Sequence, residues 1–537
     1  MKRPNIIIFN PDEMRADALA HLGNSAAITP NLDSFARTDA VSFSNAYCQN
    51  PVCVPSRCSF FSGLYPHVNG HRTMSYLFHE SEDSLLRELK NSGYYVWMND
   101  RNDFAAGQIQ GLIESHADEI YYGGEVAPAP GPLKNLRGKM GDKTFYSHYD
   151  GCLGLDEYGK NYSRDDDAVD AAIRRLKQPV DDRPVCIFLG LMFPHVPYGV
   201  EEPYFSAISR EKLLPRIKPE GCRDKAKILS DIRKYQNMDG YTEKEWDELR
   251  AVYLGMCMKI DEQFGRLIQA LKDEGIYDDS AVFFMSDHGD FTGDYGLTEK
   301  AQNTFEDCLT RVPLLIKPPA GVSVDPGISP AMTELVDFYA TVIDFADVTP
   351  SHTHFGKSLR HVLADRSAPH RKYVFCEGGR MPDEIHCDEF HETDPEGMNP
   401  RVAYWPKTKA QSDPEAHIKG IMIRDERYKY INRANGADEF YDLKADPEEK
   451  ENQINNEKYF RQIYTMKDAM LKWLTSTADI VPYQLDSRLS PKMIYARAKA
   501  YADPEDDEMI KEKIRSGAPF VEVMQFARES GMKQKGN

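Results

Sequence analysis

The chain has 537 residues, 41% of them hydrophobic and 28% charged, with a formal net charge of −19. That balance excludes an intrinsically disordered polymer, and its sign argues against a nucleic-acid binder and, more mildly, against long polyanionic ligands. No run approaches the ~18 apolar residues of a membrane helix, so no membrane contact is expected.

Met1-Lys2-Arg3-Pro4 leads directly into an apolar run at 5–9. That run is too short for a secretory signal, and no small-residue cleavage site follows it. The expectation is a cytoplasmic protein whose ten cysteines, from Cys48 to Cys387, are reduced thiols. Length alone suggests about three or four domains, although single α/β domains run longer than that prior. Near-continuous apolar runs at 5–9, 94–98, 185–191, 281–285 and 312–316 predict strands buried on both faces of a parallel sheet. Helical patterns lie between them. The clearest spans 245–274, with Tyr253, Met256, Ile260, Phe264, Leu267 and Leu271 at helical spacing. Alternating strands and helices predict a doubly wound α/β domain. After about residue 370 the pattern changes. Segments 420–432 and 438–443 flank Asn435-Gly436, a hairpin turn signal, and a helix near 459–476 completes a smaller antiparallel subdomain. Ser490-Pro491 opens a helical tail, which Gly517-Ala518-Pro519 breaks before 520–528. The expected division is a catalytic α/β domain at 1–368, an α+β subdomain at 369–484 and a helical extension at 485–537.

Chemistry-bearing residues follow the predicted strands. Asn10-Pro11-Asp12-Glu13 follows the first, Asn99-Asp100-Arg101-Asn102-Asp103 the second, Pro194-His195-Val196-Pro197 the third and Ser286-Asp287-His288-Gly289-Asp290 the fourth. Ligands of open α/β sheets bind at that edge. If the strands are neighbours, Asp12, Glu13 and Asp287 crowd together. Two like charges about 4 Å apart repel by roughly 4 kcal/mol at an effective dielectric near 20, so the cluster calls for protonation or a cation. Oxygen ligands with one imidazole suit Ca²⁺ or Mg²⁺ better than zinc. Helix capping by each acid separately is the plainer alternative.

Cys53-Val54-Pro55-Ser56-Arg57 reads Cys-x-Pro-x-Arg, and Gly63-Leu64-Tyr65-Pro66 follows shortly after. A cysteine is more often a small buried hydrophobe, and Cys48, Cys53 and Cys58 do not have the spacing of zinc pairs. The pentapeptide resembles the maturation signature of type I sulfatases, members of the alkaline phosphatase superfamily. The segments carrying Asp12-Glu13, His195 and Asp287-His288 resemble that family's landmarks, as do Lys300 after Gly293-Asp294-Tyr295-Gly296, Arg311-Val312-Pro313-Leu314 and Phe440-Tyr441-Asp442-Leu443. They stand in the family's order over roughly 4–480.

The resemblance implies a large, mostly parallel sheet sandwiched by helices, with a smaller C-terminal antiparallel sheet. It implies that a maturation enzyme oxidises Cys53 to formylglycine (3-oxoalanine), whose hydrate attacks sulfur. Asp12, Glu13, residue 53, Asp287 and His288 would hold a Ca²⁺ or Mg²⁺ ion, with His288 directed at either the metal or the sulfate. Arg57 and Lys300 would offset sulfuryl charge, and His195 would protonate the departing alcohol. His67 is a candidate for a substrate hydroxyl or a plain loop histidine. Two departures from the family pattern stand out. Glu13 replaces a common second aspartate, and Arg101 and Asp103 align where lysine and histidine usually contact the aldehyde hydrate and sulfate. Asp103 would mark a substrate subgroup. The segment Cys376-Glu377-Gly378-Gly379-Arg380, the polar residues His386, Glu389, His391 and Glu392, and the pair Tyr404-Trp405 suggest a carbohydrate sulfate ester. The negative charge favours a short substrate with one or two sulfates. Alternatives are a phosphonate or phosphate monoester hydrolase and a non-catalytic binding relative. The tail could close a homo-oligomer interface or cover the pocket.

Overall fold

The computed structural model describes residues 3–124, 130–390, 395–481 and 487–533. His391 and Glu392 of the polar loop lie outside them. The described strands, in chain order, are β1 (Asn5–Asn10), β2 (Val41–Tyr47), β3 (Tyr95–Asn99), β4 (Glu119–Tyr121), β5 (Tyr149–Cys152), β6 (Val185–Gly190) and β7 (Tyr198–Val200), then β8 (Ser280–Met285), β9 (Leu314–Lys317), β10 (Gly327–Glu334), β11 (Val374–Gly378), β12 (Gly420–Arg424), β13 (Tyr428–Arg433) and β14 (Glu439–Asp442). Eight form one sheet in the order β10-β2-β9-β8-β1-β6-β3-β4. A separate antiparallel sheet has the order β11-β12-β13-β14, and β5 pairs with β7.

The near-continuous hydrophobicity of β1 follows from burial on both faces. Ile6 and Ile8 enter one core with Phe43, Phe188, Phe283 and Phe338. Ile7 and Phe9 enter the other with Ile187, Val282, Phe284 and Phe264. The helices Cys53–Ser62 and Val336–Ala346 contribute to the first core. The helix Glu243–Asp273, nearly as its spacing predicts, covers the second. A capping box closes its start: Thr242 accepts from the Glu245 amide and Glu245 accepts from the Thr242 amide.

Two expectations are corrected. The 312–316 run becomes β9, which lies antiparallel to both β8 and β2, not parallel like the other runs, within a sheet that is mostly parallel as expected. The strands β2 and β10 were not predicted. Val41-Ser42-Phe43-Ser44-Asn45 alternates with polar residues, and β10 carries Pro330, which an edge strand tolerates, within a register shift between Ser329 and Met332.

The topology places the chemistry. β8, β1, β6 and β3 are adjacent and mutually parallel, so the four polar segments leave the same edge. Side-chain amides tie those strand ends together. Asn10 Nδ2 donates to the Met285 carbonyl at 2.8 Å. Asn99 Nδ2 donates to the Gly190 carbonyl at 2.7 Å, and Asn99 Oδ1 accepts from the Gly190 amide at 2.9 Å.

The chain divides into two compact units. One holds residues 1–350 and 354–479, including both larger sheets. Within it the helix Phe460–Thr477 packs on the small sheet, with Trp473 stacked on Phe375 at 4.2 Å. The other unit holds 351–353 and 480–537. Its helices Pro491–Lys499, Asp507–Arg515 and Phe520–Lys533 bury Ile494, Ile510, Val523 and Ala527. Ser490 caps the first of these helices, as expected. All ten cysteines are free thiols. No helix among the described residues is long and apolar enough to cross a membrane.

Phe9 lies at the centre of the second core, 5.6 Å from Phe284 and 5.4 Å from Phe264 by ring centroids. Phe9→Ala is expected to lower unfolding free energy by about 3–5 kcal/mol in urea denaturation. A loss below about 1 kcal/mol would contradict this packing.

Candidate active site

Cys53 is the first residue of the helix Cys53–Ser62, in which every residue is buried. Asn50 Oδ1 accepts from the Val52 amide and fixes the entry turn. The helix N-terminus, with its partial positive charge, therefore faces the strand ends. Cys53 Sγ lies 3.2 Å from His288 Nε2 and 3.6 Å from Asp12 Oδ1. Burial pushes the thiol well above its usual range and Asp12 adds to that shift. The unmodified side chain is thus a protonated, poor nucleophile.

One helical turn on, Arg57 is fully buried. Its Nη2 donates to Asp12 Oδ2 and its Nε to Asp287 Oδ2, each at 2.9 Å. Arg57 Nη1 is buried without a hydrogen bond, 3.8 Å from Asp103 Oδ2. Arg101 Nη2 also donates to Asp12, and lies 3.4 Å from Asp103. Asp103 is about one-third exposed (32%) and faces both guanidinium groups. Burial would raise the Asp12 carboxyl, but Arg101, Arg57 and Lys300 outweigh it and hold the group well below the carboxylate range.

Asp12, Cys53, Asp287 and His288 each bring a donor atom to within 4.8 Å of the others, and so do Asp12, Glu13 and His195. His288 Nδ1 donates to the Gly289 carbonyl at 2.9 Å, which leaves the Nε2 lone pair for a cation. Gly289 must be glycine, because a Cβ there would stand 2.0 Å from the Cys308 carbonyl oxygen. Glu13 adopts φ 67°. Its amide donates to Asp287 Oδ1, while its carboxylate accepts from Lys300 Nζ at 2.9 Å. Burial pushes that carboxyl up, Asp290, Glu299 and Asp12 reinforce the shift, and Lys300 opposes it. Glu13 Oε1 is buried without a partner. Buried carboxylate oxygens, one orphaned acceptor and one free imidazole nitrogen fit a hard divalent cation.

His195 Nε2 is 3.5 Å from Glu13 Oε2, and its Nδ1 donates to the Val196 carbonyl at 2.7 Å. Burial, with help from Lys300 and Arg101, holds the imidazole well below its usual range, so it is neutral here. Lys300 is buried at the side chain (3% exposed), and burial is outweighed by Glu13, Glu299 and Asp12, which keep it charged.

Other expected contacts are otherwise engaged. His67 Nδ1 pairs with Glu377 of β11 at 2.8 Å and its Nε2 with the Thr477 carbonyl at 2.9 Å, so both ring nitrogens are engaged, one by the small sheet and one by the end of the helix Phe460–Thr477. Gly378 has Gln302 O only 1.4 Å from where a Cβ would stand, and Arg380 is buried on Asp388. This segment packs against the loop after β8 and the turn after β2. Glu389 is buried against Gln302, Gln411 and Lys407. Trp405 packs on Tyr146 and Tyr235, whereas Tyr404 lies beside His148 and senses the charges of Glu299 and Lys300. Sequence reasoning missed Glu299 and Lys407, which pair at 2.9 Å behind Lys300. Only Glu299 had a signal, its adjacency to Lys300.

Calcium or magnesium is expected to raise the melting temperature, by the equivalent of about 2.7 kcal/mol at a hundredfold excess over Kd. Asp287→Asn should abolish that rise. Calorimetry showing no shift with either ion in the unsubstituted protein would contradict the cation site.

Comparison with known proteins accords with this geometry. The sulfatase family model matches residues 4–348. An arylsulfatase of Clostridium perfringens is 24% identical over 502 residues, covering 88% of this chain and 94% of its own. A choline-sulfatase of Rhizobium meliloti is 26% identical, covering 84% and 83%. In structure, the chain is similar to the phosphonate monoester hydrolase of Agrobacterium radiobacter, with TM-score 0.69, 20% identity and coverage of 88% and 96%. That likeness establishes a shared fold. The chain belongs to the sulfatase family.

Proposed function

We propose that the protein is a sulfuric ester hydrolase that uses a formylglycine derived from Cys53, with a carbohydrate sulfate as its substrate class. The observation that carries this reading is the placement of Cys53 at a buried helix start, 3.2 Å from His288 Nε2 and 3.6 Å from Asp12 Oδ1, with Arg57 and Lys300 alongside. The sulfate-ester names of the arylsulfatase and choline-sulfatase relatives support it. The partners implied are a small sulfated substrate and a formylglycine-generating enzyme.

In the proposed reaction, the hydrated aldehyde carries two hydroxyls on the carbon that held the thiol. One hydroxyl oxygen bonds to sulfur as the bond from sulfur to the alcohol oxygen breaks. The proton that this hydroxyl loses balances the one the alcohol gains. His195 gives the alcohol its proton once the anionic substrate beside it raises the imidazole's proton affinity. The second hydroxyl then loses its proton, its electrons form the carbonyl, and sulfate leaves with the bonding pair. Arg57 Nη1, which has no hydrogen bond, and Lys300 offset charge on the sulfuryl oxygens. A Ca²⁺ or Mg²⁺ ion held by Asp12, Glu13, Asp287 and His288 would supply Lewis acidity to the sulfuryl group and acidify the attacking hydroxyl.

Asp103, 3.4 Å from Arg101 and 3.8 Å from Arg57, offsets part of the local positive charge. That arrangement favours a singly charged sulfate ester over a dianionic phosphate monoester. Tyr404, half-buried beside Lys300, offers a ring face to a sugar.

The test is hydrolysis by protein co-expressed with a maturation enzyme, using sulfate esters, a phosphonate monoester and a phosphate monoester side by side. Sulfate esters are expected to be the best substrates, and Cys53→Ala should abolish turnover. His195→Ala should cost about 10²–10⁴-fold with an alkyl leaving group and much less with 4-nitrophenol, which needs no proton. Preference for a phosphoryl substrate, or full activity in Cys53→Ala, would overturn the proposal.

A further inference from the structure

Lys300 is one link in a buried row of alternating charge that runs away from the site. Its Nζ is 2.9 Å from Glu13 Oε2 and 3.4 Å from Glu299 Oε1. On the far side, the same Glu299 Oε1 accepts from Lys407 Nζ at 2.9 Å, and Lys407 is 3.1 Å from Glu389 Oε1. Glu389 is also held by the Gln302 amide and by Gln411. All five charged residues are buried. They come from separated stretches of sequence: the loop after β1, the loop after β8, and the segment 389–407 between β11 and β12.

Glu299 is placed at a conformational cost. Its φ of 65° lies in the left-handed region, which glutamate rarely enters, and its amide donates to Tyr198 Oη at 3.0 Å. From there its carboxylate reaches both lysines. Burial would raise that carboxyl, but Lys407 first, then Lys300 and His148, hold it down at about 2. Glu299 therefore carries a full negative charge directly behind Lys300.

That charge competes with any anion for the Lys300 ammonium. Opposite charges this close inside a protein attract strongly, enough to draw the flexible lysine off a substrate oxygen. Lys407 neutralises the competitor from the opposite side.

We infer that Lys407 is a positioning residue for Lys300, its ammonium engaging Glu299 so that Lys300 stays available to the sulfuryl oxygens of the substrate. The inference deepens, and rests on, the sulfatase reading above. Lys407 also pairs with Glu389 and lies 5.3 Å from the centre of the Tyr404 ring, but it reaches Lys300 through Glu299. It also makes Lys300 dependent on the segment between β11 and β12.

The test uses the full-length chain and two readouts: the Kd of inorganic sulfate by titration calorimetry, and kcat/KM on 4-nitrophenyl sulfate. Lys407→Met should weaken sulfate binding and kcat/KM by about tenfold, the size of one charged hydrogen bond. Lys407→Arg should stay close to the unsubstituted protein. Glu299→Gln should bind sulfate at least as tightly as the unsubstituted protein, because the competitor is gone. The double variant Lys407→Met/Glu299→Gln should recover most of the loss, a coupling that a purely structural role would not produce. Unchanged sulfate affinity in Lys407→Met, or a double variant worse than the single, would overturn the inference and leave the sulfatase reading intact. Unsubstituted protein that neither binds sulfate nor hydrolyses sulfate esters would overturn both.

Discussion

A guanidinium with no exposed surface organises this site. Arg57 bridges Asp12 and Asp287, which leave the ends of the adjacent strands β1 and β8, and it springs from the same helix that begins at Cys53. Two carboxylates with no exposed surface would be prohibitive alone. Removing one partner of such a buried pair costs about 3–5 kcal/mol because it strands the other charge. The sheet order β8-β1-β6 is thus tied electrostatically to the placement of the Cys53 helix. Asn10 and Asn99 repeat the theme with neutral groups, closing the strand ends onto one another.

Around that bridge, charge is arranged in layers. Asp12 stays ionised because Arg101, Arg57 and Lys300 outweigh its burial. Glu13, on the other side, is pushed toward protonation by burial and by Asp290, Glu299 and Asp12. A divalent cation would relieve both the orphaned Glu13 Oε1 and the crowding of Asp12 with Asp287. Asp103 tempers the cations at the mouth, and Glu299 with Lys407 tempers Lys300 from behind. Left-handed backbone at Glu13, Asp103, His148 and Glu299 marks the same region as strained, as expected where side chains are aimed for chemistry rather than for packing.

Much of this was legible in the sequence, for physical reasons. Strands buried on both faces read as unbroken apolar runs, so β1, β3, β6 and β8 and the polar residues behind them could be placed on one edge. The Cys53 pentapeptide and Asp287-His288 could be read because their spacing is local. What could not be read depended on distant partners. β2 and β10 alternate with polar residues and pair only through tertiary structure, and the antiparallel direction of β9 is set by its neighbours. His67 looked like a site residue until Glu377 and Thr477 accounted for both its nitrogens. Lys407 carried no local signal, since its meaning comes entirely from Glu299, more than a hundred residues earlier.

The central claim is that residue 53 acts as an aldehyde and not as a thiol. The most direct measurement is the mass of the tryptic peptide 38–57, from protein produced beside a formylglycine-generating enzyme. The account predicts formylglycine at position 53, visible as a lighter peptide that reacts with carbonyl reagents. An unmodified Cys53 under those conditions would contradict it, because a thiol kept protonated by burial, with Asp12 adding to the effect, has no second hydroxyl with which to release sulfate.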